Sequence, residues 1–135
     1  MEFGMVVPVI AIIVLGTYDL GNMIAIRTKL DDALHAGGTY AMSYPTSYTN
    51  IQSAVTAALP AGWTDAVVSA PVVTCSCWAA GGAVTSADCS TDPICPIGQV
   101  NQRFITLAVS RPFSPLLLSP VTFDSVSTSY VIRVQ

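Results

Sequence analysis

Residues 3–18 read FGMVVPVIAIIVLGTY, sixteen positions without a charge. At about 1.5 Å per helical residue they cover roughly 24 Å, slightly short of the ~30 Å hydrocarbon core of a bilayer. Extending to Met23 or Ile26 reaches that span and takes in Asp19 near one end. A cleaved signal peptide needs a basic n-region and a small-x-small cleavage site. Here acidic Glu2 precedes the run and no such site follows Leu15. The stretch therefore reads as a membrane span or as the core helix of a polymer.

The helix continues past the apolar run. Residues 19–42 (DLGNMIAIRTKLDDALHAGGTYAM) hold no proline, and Leu20, Met23, Ile24, Leu30 and Leu34 keep helical spacing between charged residues. Gly21, Ala25, Ala33, Gly37 and Ala41 form one row at four-residue spacing, interrupted by Lys29. A row of small side chains lets another backbone come close. A helix over residues 2–42 is roughly 60 Å long, more than an anchor needs. Its first half must find lipid or copies of itself, because its own small domain cannot cover it. Two residues mark this segment. Pro8 removes the amide that would bond the Gly4 carbonyl, so it kinks or loosens the helix. Glu2 places a carboxylate at the positive end of the helix dipole; on physical grounds it reads first as a headgroup-level acid at a membrane interface, and if packed among apolar neighbours it needs a cationic partner such as an α-amine.

Composition agrees with a chain whose apolar surface is concentrated at one end. Hydrophobic residues make up 52% and charged residues 10% of 135 positions, against roughly 25% charged in an average soluble protein. Mean hydropathy is +0.60. Net charge is −3, and the basic residues Arg27, Lys29, Arg103, Arg111 and Arg133 are scattered, which leaves no footprint for nucleic acid.

The chain divides into residues 1–44, a long helix with a membrane or filament-core half (1–26) and an amphipathic half (27–44), and residues 45–135, a globular α+β domain. Pro45 closes the helix. A short helix is expected over residues 50–59, capped by Thr49 or Asn50, with Ile51, Ala54, Val55, Ala58 and Leu59 inward and Pro60 after it. Three β-prone stretches follow, 66–78, 103–110 and 121–134, in a sheet of about three to four strands. In the second, Ile105, Leu107 and Val109 form a greasy face opposite Phe104, Thr106, Ala108 and Ser110. In the third, Val126, Thr128, Tyr130 and Ile132 oppose Phe123, Ser125, Ser127 and Ser129. The expected fold is α+β: a long N-terminal helix packed on a small, disulfide-stapled antiparallel sheet. Between the last two strands the proline-bounded PFSPLLLSP (112–120) is expected to pack through Leu116, Leu117 and Leu118; exposed, these leucines would contact another subunit.

Cys75, Cys77, Cys89 and Cys95 fall in one Ser/Thr/Gly/Pro-rich window, which points outside the reducing cytosol. Cys75 and Cys77 are two apart on a predicted strand and share a face, so each bridges to Cys89 or Cys95. The pairings 75–89 with 77–95 and 75–95 with 77–89 both stay open. Each bridge closes a loop of about 12 to 20 residues and contributes roughly 3 kcal/mol. The spacing C-x-C…C-x₅-C fits no common zinc knuckle. His35 sits in the predicted helix near Asp31 and Asp32 and is expected to face solvent. No phosphate loop, paired loop carboxylates or metal-ligand spacing is present. Nothing in the sequence suggests an enzyme, a cofactor or a bound metal.

The N-terminal string Glu2-Phe3-Gly4-Met5-Val6-Val7-Pro8, the apolar run to Leu15-Gly16 and Tyr18-Asp19-Leu20-Gly21 resemble the TadE-like pseudopilins of bacterial tight-adherence pilus systems. The likeness continues through residues 27–33 and 36–41, and returns at Cys75-Ser76-Cys77, Arg111-Pro112-Phe113-Ser114-Pro115 and the final Val131-Ile132-Arg133-Val134-Gln135. It spans about half the chain, and the N-terminal string is its specific part. The resemblance implies a subunit of the type IV pilin superfamily. Such a subunit is made as an inner-membrane precursor, cut by a prepilin peptidase, and moved into a helical filament cored by apolar helices. It implies that Glu2 meets an N-terminal amine during assembly and that Pro8 marks a stretch able to loosen on leaving the bilayer. Family precursors carry a short basic leader ending in Gly. The chain here begins Met1-Glu2, so the expectation is an incomplete mature form or a different route of maturation.

The expected function is a pilin-like subunit of an extracellular bacterial adhesion filament, assembling with its own copies or with sister pilins through Glu2, Phe3, Pro8, Gly16, Gly21, Ala25, Ala33 and Gly37. From another class comes a single-pass membrane protein presenting a disulfide-stabilised extracytoplasmic binding domain. A secreted sugar-binding module leaves the long helix unexplained.

Overall fold

A single helix, α1, runs over Phe3–Ser43, in a computed structural model that describes residues 3–89, 95–116 and 124–134. Its 41 residues make it about 62 Å long. It passes through Pro8 without ending. That is the tolerance expected where one lost amide bond is outweighed by the turns on either side.

The chain turns at Pro45 and Thr46 and enters α2, Tyr48–Ala58. This helix starts earlier than expected. Ser47 occupies the cap position without a side-chain cap bond, so neither Thr49 nor Asn50 caps it. Tertiary contacts decide the start: Tyr48 packs on the core, while Ile51 and Val55 are fully buried. Ala54 and Leu59 are half-buried, and Ala58 is exposed, contrary to the expected inward set.

Among the described residues, five strands form one antiparallel sheet: β1 (Val67–Val68), β2 (Val72–Ala79), β3 (Val84–Ala87), β4 (Gln99–Pro112) and β5 (Ser125–Arg133). The expected 66–78 stretch is divided in two. Val68 pairs with Val109 and Val72 with Thr106, four steps along one strand against three along the other. One extra residue is thus accommodated near Pro71, as in a β-bulge, and Pro71 itself has no amide for a ladder. Strand β4 outruns its expected 103–110 at both ends. It pairs with β2 through Val72–Ala79 and with β5 from Phe104 to Pro112. The expected start of the last strand at residue 121 lies outside the described residues.

The greasy face of β4 faces α1. Ile105, Leu107 and Val109 join Val126 and Ile132 of β5, Leu30 and Leu34 of α1, and Ile51 and Val55 of α2 in one core. Two adjacent glycines bring the layers together. A Cβ on Gly37 would stand 2.2 Å from Val55 Cγ2, and one on Gly38 would stand 3.0 Å from Ile132 Cδ1. The first lets α2 lie against α1; the second does the same for β5.

The direction of β4 orients the domain along the helix. Gly38 meets Tyr130 and Ile132, while the Thr128 hydroxyl bonds Asp31 one helical stretch earlier. The end of β4 near Pro112 therefore lies toward the apolar half of α1. The end near Gln99, with its cysteines, lies away from it.

Candidate assembly surface

Among the described residues, α1 is largely exposed from Val6 to Val14, ahead of its first buried position at Asp19. Val6, Val7, Val9, Ile10, Ile12, Ile13 and Val14 are each 50–61% exposed. At 100° per residue these positions, together with exposed Pro8, Ala11 and Leu15, point in all directions around the helix, so this is a bare apolar rod and not the outer side of an amphipathic one. Burying a Val or Ile side chain contributes about 1.5–3 kcal/mol. Seven of them half-exposed leave on the order of 10 kcal/mol of burial unrealised in the lone chain. The helix is long and apolar enough to cross a membrane.

Polar groups within this rod are satisfied locally. The Thr17 hydroxyl lies 2.9 Å from the Ile13 carbonyl and 2.8 Å from that of Val14, the back-bonding that lets a hydroxyl enter apolar surroundings. Asp19 is 3% exposed, and its Oδ1 accepts the Leu116 backbone N–H at 3.1 Å. The first charge after the apolar run is thus covered by the chain leaving β4.

The sequence-predicted assembly residues separate into two groups. A Cβ added at Gly16 or Gly21 would meet no heavy atom within 4 Å, and Ala25 is exposed, so these three lie on the open part of the helix. Ala33 and Ala41 are fully buried, and Gly37 lies against Val55 and Leu107; this half of the small-residue row serves the chain's own core. Pro8 lies on the bare rod. Glu2 and the side chain of Phe3 lie outside the described residues. Leu20 and Ile24 are 54% and 57% exposed, whereas Met23 is partly buried against the core and Ile26 is buried, so cover of the amphipathic stripe begins at Met23.

The cysteines are joined as Cys75–Cys89 and Cys77–Cys95, one of the two pairings the sequence allows. Cys75 and Cys77 are both buried on one face of β2, and Arg103 Nη2 donates to the Cys89 carbonyl at 3.5 Å. The bridges hold the end of the sheet beyond the reach of α1, where the apolar core is absent.

Compared with known proteins, the chain matches no family model, no curated protein and no solved structure.

Three features of the fold have no signature in the local sequence. Trp63 lies under two cations, with Arg111 Cζ at 4.1 Å and Lys29 Nζ at 5.6 Å from its ring centre. Arg111 Nε also meets both carboxylate oxygens of Asp65 at 3.0 Å. These partners are scattered over the chain, and no local pattern announces them. His35 is exposed as expected, but its ring meets that of Tyr130 at 4.7 Å. Leu116 is 68% exposed, which corrects the expectation that it packs inside. Its peptide group is held by Asp19, so its side chain is directed away from the core. Leu117 and Leu118 lie outside the described residues. Among the described residues no cluster of His, Cys, Asp or Glu gathers as a metal site.

Proposed function

We propose that the chain is a pilin-like subunit, related to the TadE-like pseudopilins, that polymerises through α1 into an extracellular bacterial filament used in adhesion. Before assembly it resides in the inner membrane, with the disulfide-bonded domain outside the cytoplasm. A prepilin peptidase and an assembly machinery act on it, and its partners in the filament are its own copies or sister pilins. Its role is structural, and it needs no cofactor.

The observation that carries this reading is the bare apolar rod of α1, continuous with a helix half that is built into the domain core. A rod exposed on all sides requires surroundings on all sides, and both lipid and a bundle of identical helices supply them. The two bridges suit an oxidising compartment. The same rod also fits a permanent membrane anchor, and assembly is what separates the two readings.

The test is a charge placed on the rod. Ile13→Asp is expected to abolish polymerisation while both disulfides form and the domain stays folded; normal filaments from this variant would contradict the proposal. Glu2→Ala is expected to impair polymerisation in the same way, and unimpaired assembly would remove Glu2 from the mechanism.

A further inference from the structure

We infer that the segment leaving β4, residues 113–116, is a second membrane-contact element that seats the domain on the bilayer before assembly, with Leu116 entering the edge of the hydrocarbon. This rests on the membrane stage proposed above.

Length is the first constraint. The uncharged run ends at Tyr18 and is about 24 Å long, whereas the hydrocarbon needs about 30 Å. With Phe3 at one edge, the other edge falls near Asn22, about twenty residues along. Leu20 and Ile24, both more than half exposed, suit that level. Asp19 does not, because a charged carboxylate is disfavoured inside the hydrocarbon. The fold eases that conflict by covering Asp19 and giving it a backbone donor. Asp19 is 3% exposed and accepts the Leu116 N–H at 3.1 Å across 97 residues of sequence.

The contact that shields Asp19 also fixes the height of Leu116. The segment is held at both ends: Phe113 is buried in the core, and its N–H bonds the Asp124 carbonyl at 3.1 Å. At the other tie, its own N–H to Asp19, Leu116 stays 68% exposed beside the apolar helix. A single exposed leucine is ordinary on a soluble surface; one pinned at the end of a membrane-length apolar rod is positioned for lipid. Arg27 and Lys29 follow one to two turns beyond the edge, where long basic side chains reach headgroups.

Tryptophan fluorescence in reconstituted vesicles tests this. The full chain is placed in phosphatidylcholine vesicles whose acyl chains carry bromine close to the headgroup, as Leu116→Trp, as Val9→Trp and as wild type. Wild type sets the background from Trp63 and Trp78. The emission added by Leu116→Trp is expected to be blue-shifted and strongly quenched. If Val9→Trp is quenched and Leu116→Trp is not, the helix is inserted but the segment is not seated. The inference then fails alone, leaving a neighbouring subunit as the occupant of this surface. If neither is quenched, the membrane stage fails together with the inference.

Discussion

Gly37 of α1 lies so close to Val55 of α2 that a single added methyl would stand 2.2 Å from Val55 Cγ2. Val55 is fully buried and, being β-branched, has little rotamer freedom to withdraw. Gly37→Ala gains roughly 1 kcal/mol of helix propensity but incurs about 1–3 kcal/mol or more of overpacking. The clash wins, and the melting temperature of the domain is expected to fall by several degrees. Gly21→Ala, on the same row with nothing within 4 Å, is expected to leave the melting temperature unchanged or slightly raised. Equal effects at the two sites would contradict the division of the row into a core half and an open half.

Asp19→Ala removes the acceptor for the Leu116 amide. Losing such a bond costs about 1–3 kcal/mol where the donor stays buried, but here the freed amide can reach solvent. The expected result is local: faster hydrogen exchange at Leu116 with the core strands still protected. Unchanged exchange at Leu116 would show that the contact does not hold the segment.

Removing one bridge weakens the end of the sheet that α1 does not cover. The pairs span 14 and 18 residues of sequence, loops for which a disulfide contributes roughly 3 kcal/mol. Cys77→Ser combined with Cys95→Ser is therefore expected to lower unfolding stability by about that amount in denaturant titrations. Peptide mapping without reduction should return Cys75 with Cys89 and Cys77 with Cys95; the crossed pairs would overturn the register of this region.

Arg111→Ala removes both a stacked cation over Trp63 and the pair with Asp65. Both groups are partly exposed, at 23% and 41% for the pair, so solvent screens much of the charge term. A loss of about 1 kcal/mol or less is expected, with a larger change in Trp63 fluorescence than in stability. No fluorescence change would mean that the guanidinium does not sit on the ring.

Much of the architecture follows from local pattern. The proline-free run after Asp19 announces the extension of α1, and the alternation of Ile105, Leu107 and Val109 announces the buried face of β4. The shared face of Cys75 and Cys77 leaves two pairings, and only the fold selects one. Strand β3 carries little signal of its own, because Val84–Ala87 is four residues beside Gly81 and Gly82. Its existence depends on pairing with Cys75–Trp78 of β2, not on its own composition. The same limit applies to the assembly residues. Gly21 and Gly37 are indistinguishable in sequence, four-residue steps on one row, yet one is open and the other is closed over by Val55. Asp19 and Leu116 are too far apart for any local signal to join them.

Whether the bare half of α1 ends in the core of a filament is tested most directly by electron microscopy of the purified full chain. Filaments with a core of packed helices are predicted. Detergent-bound monomers that never polymerise, with both disulfides intact, would contradict that prediction and leave α1 as a permanent membrane anchor.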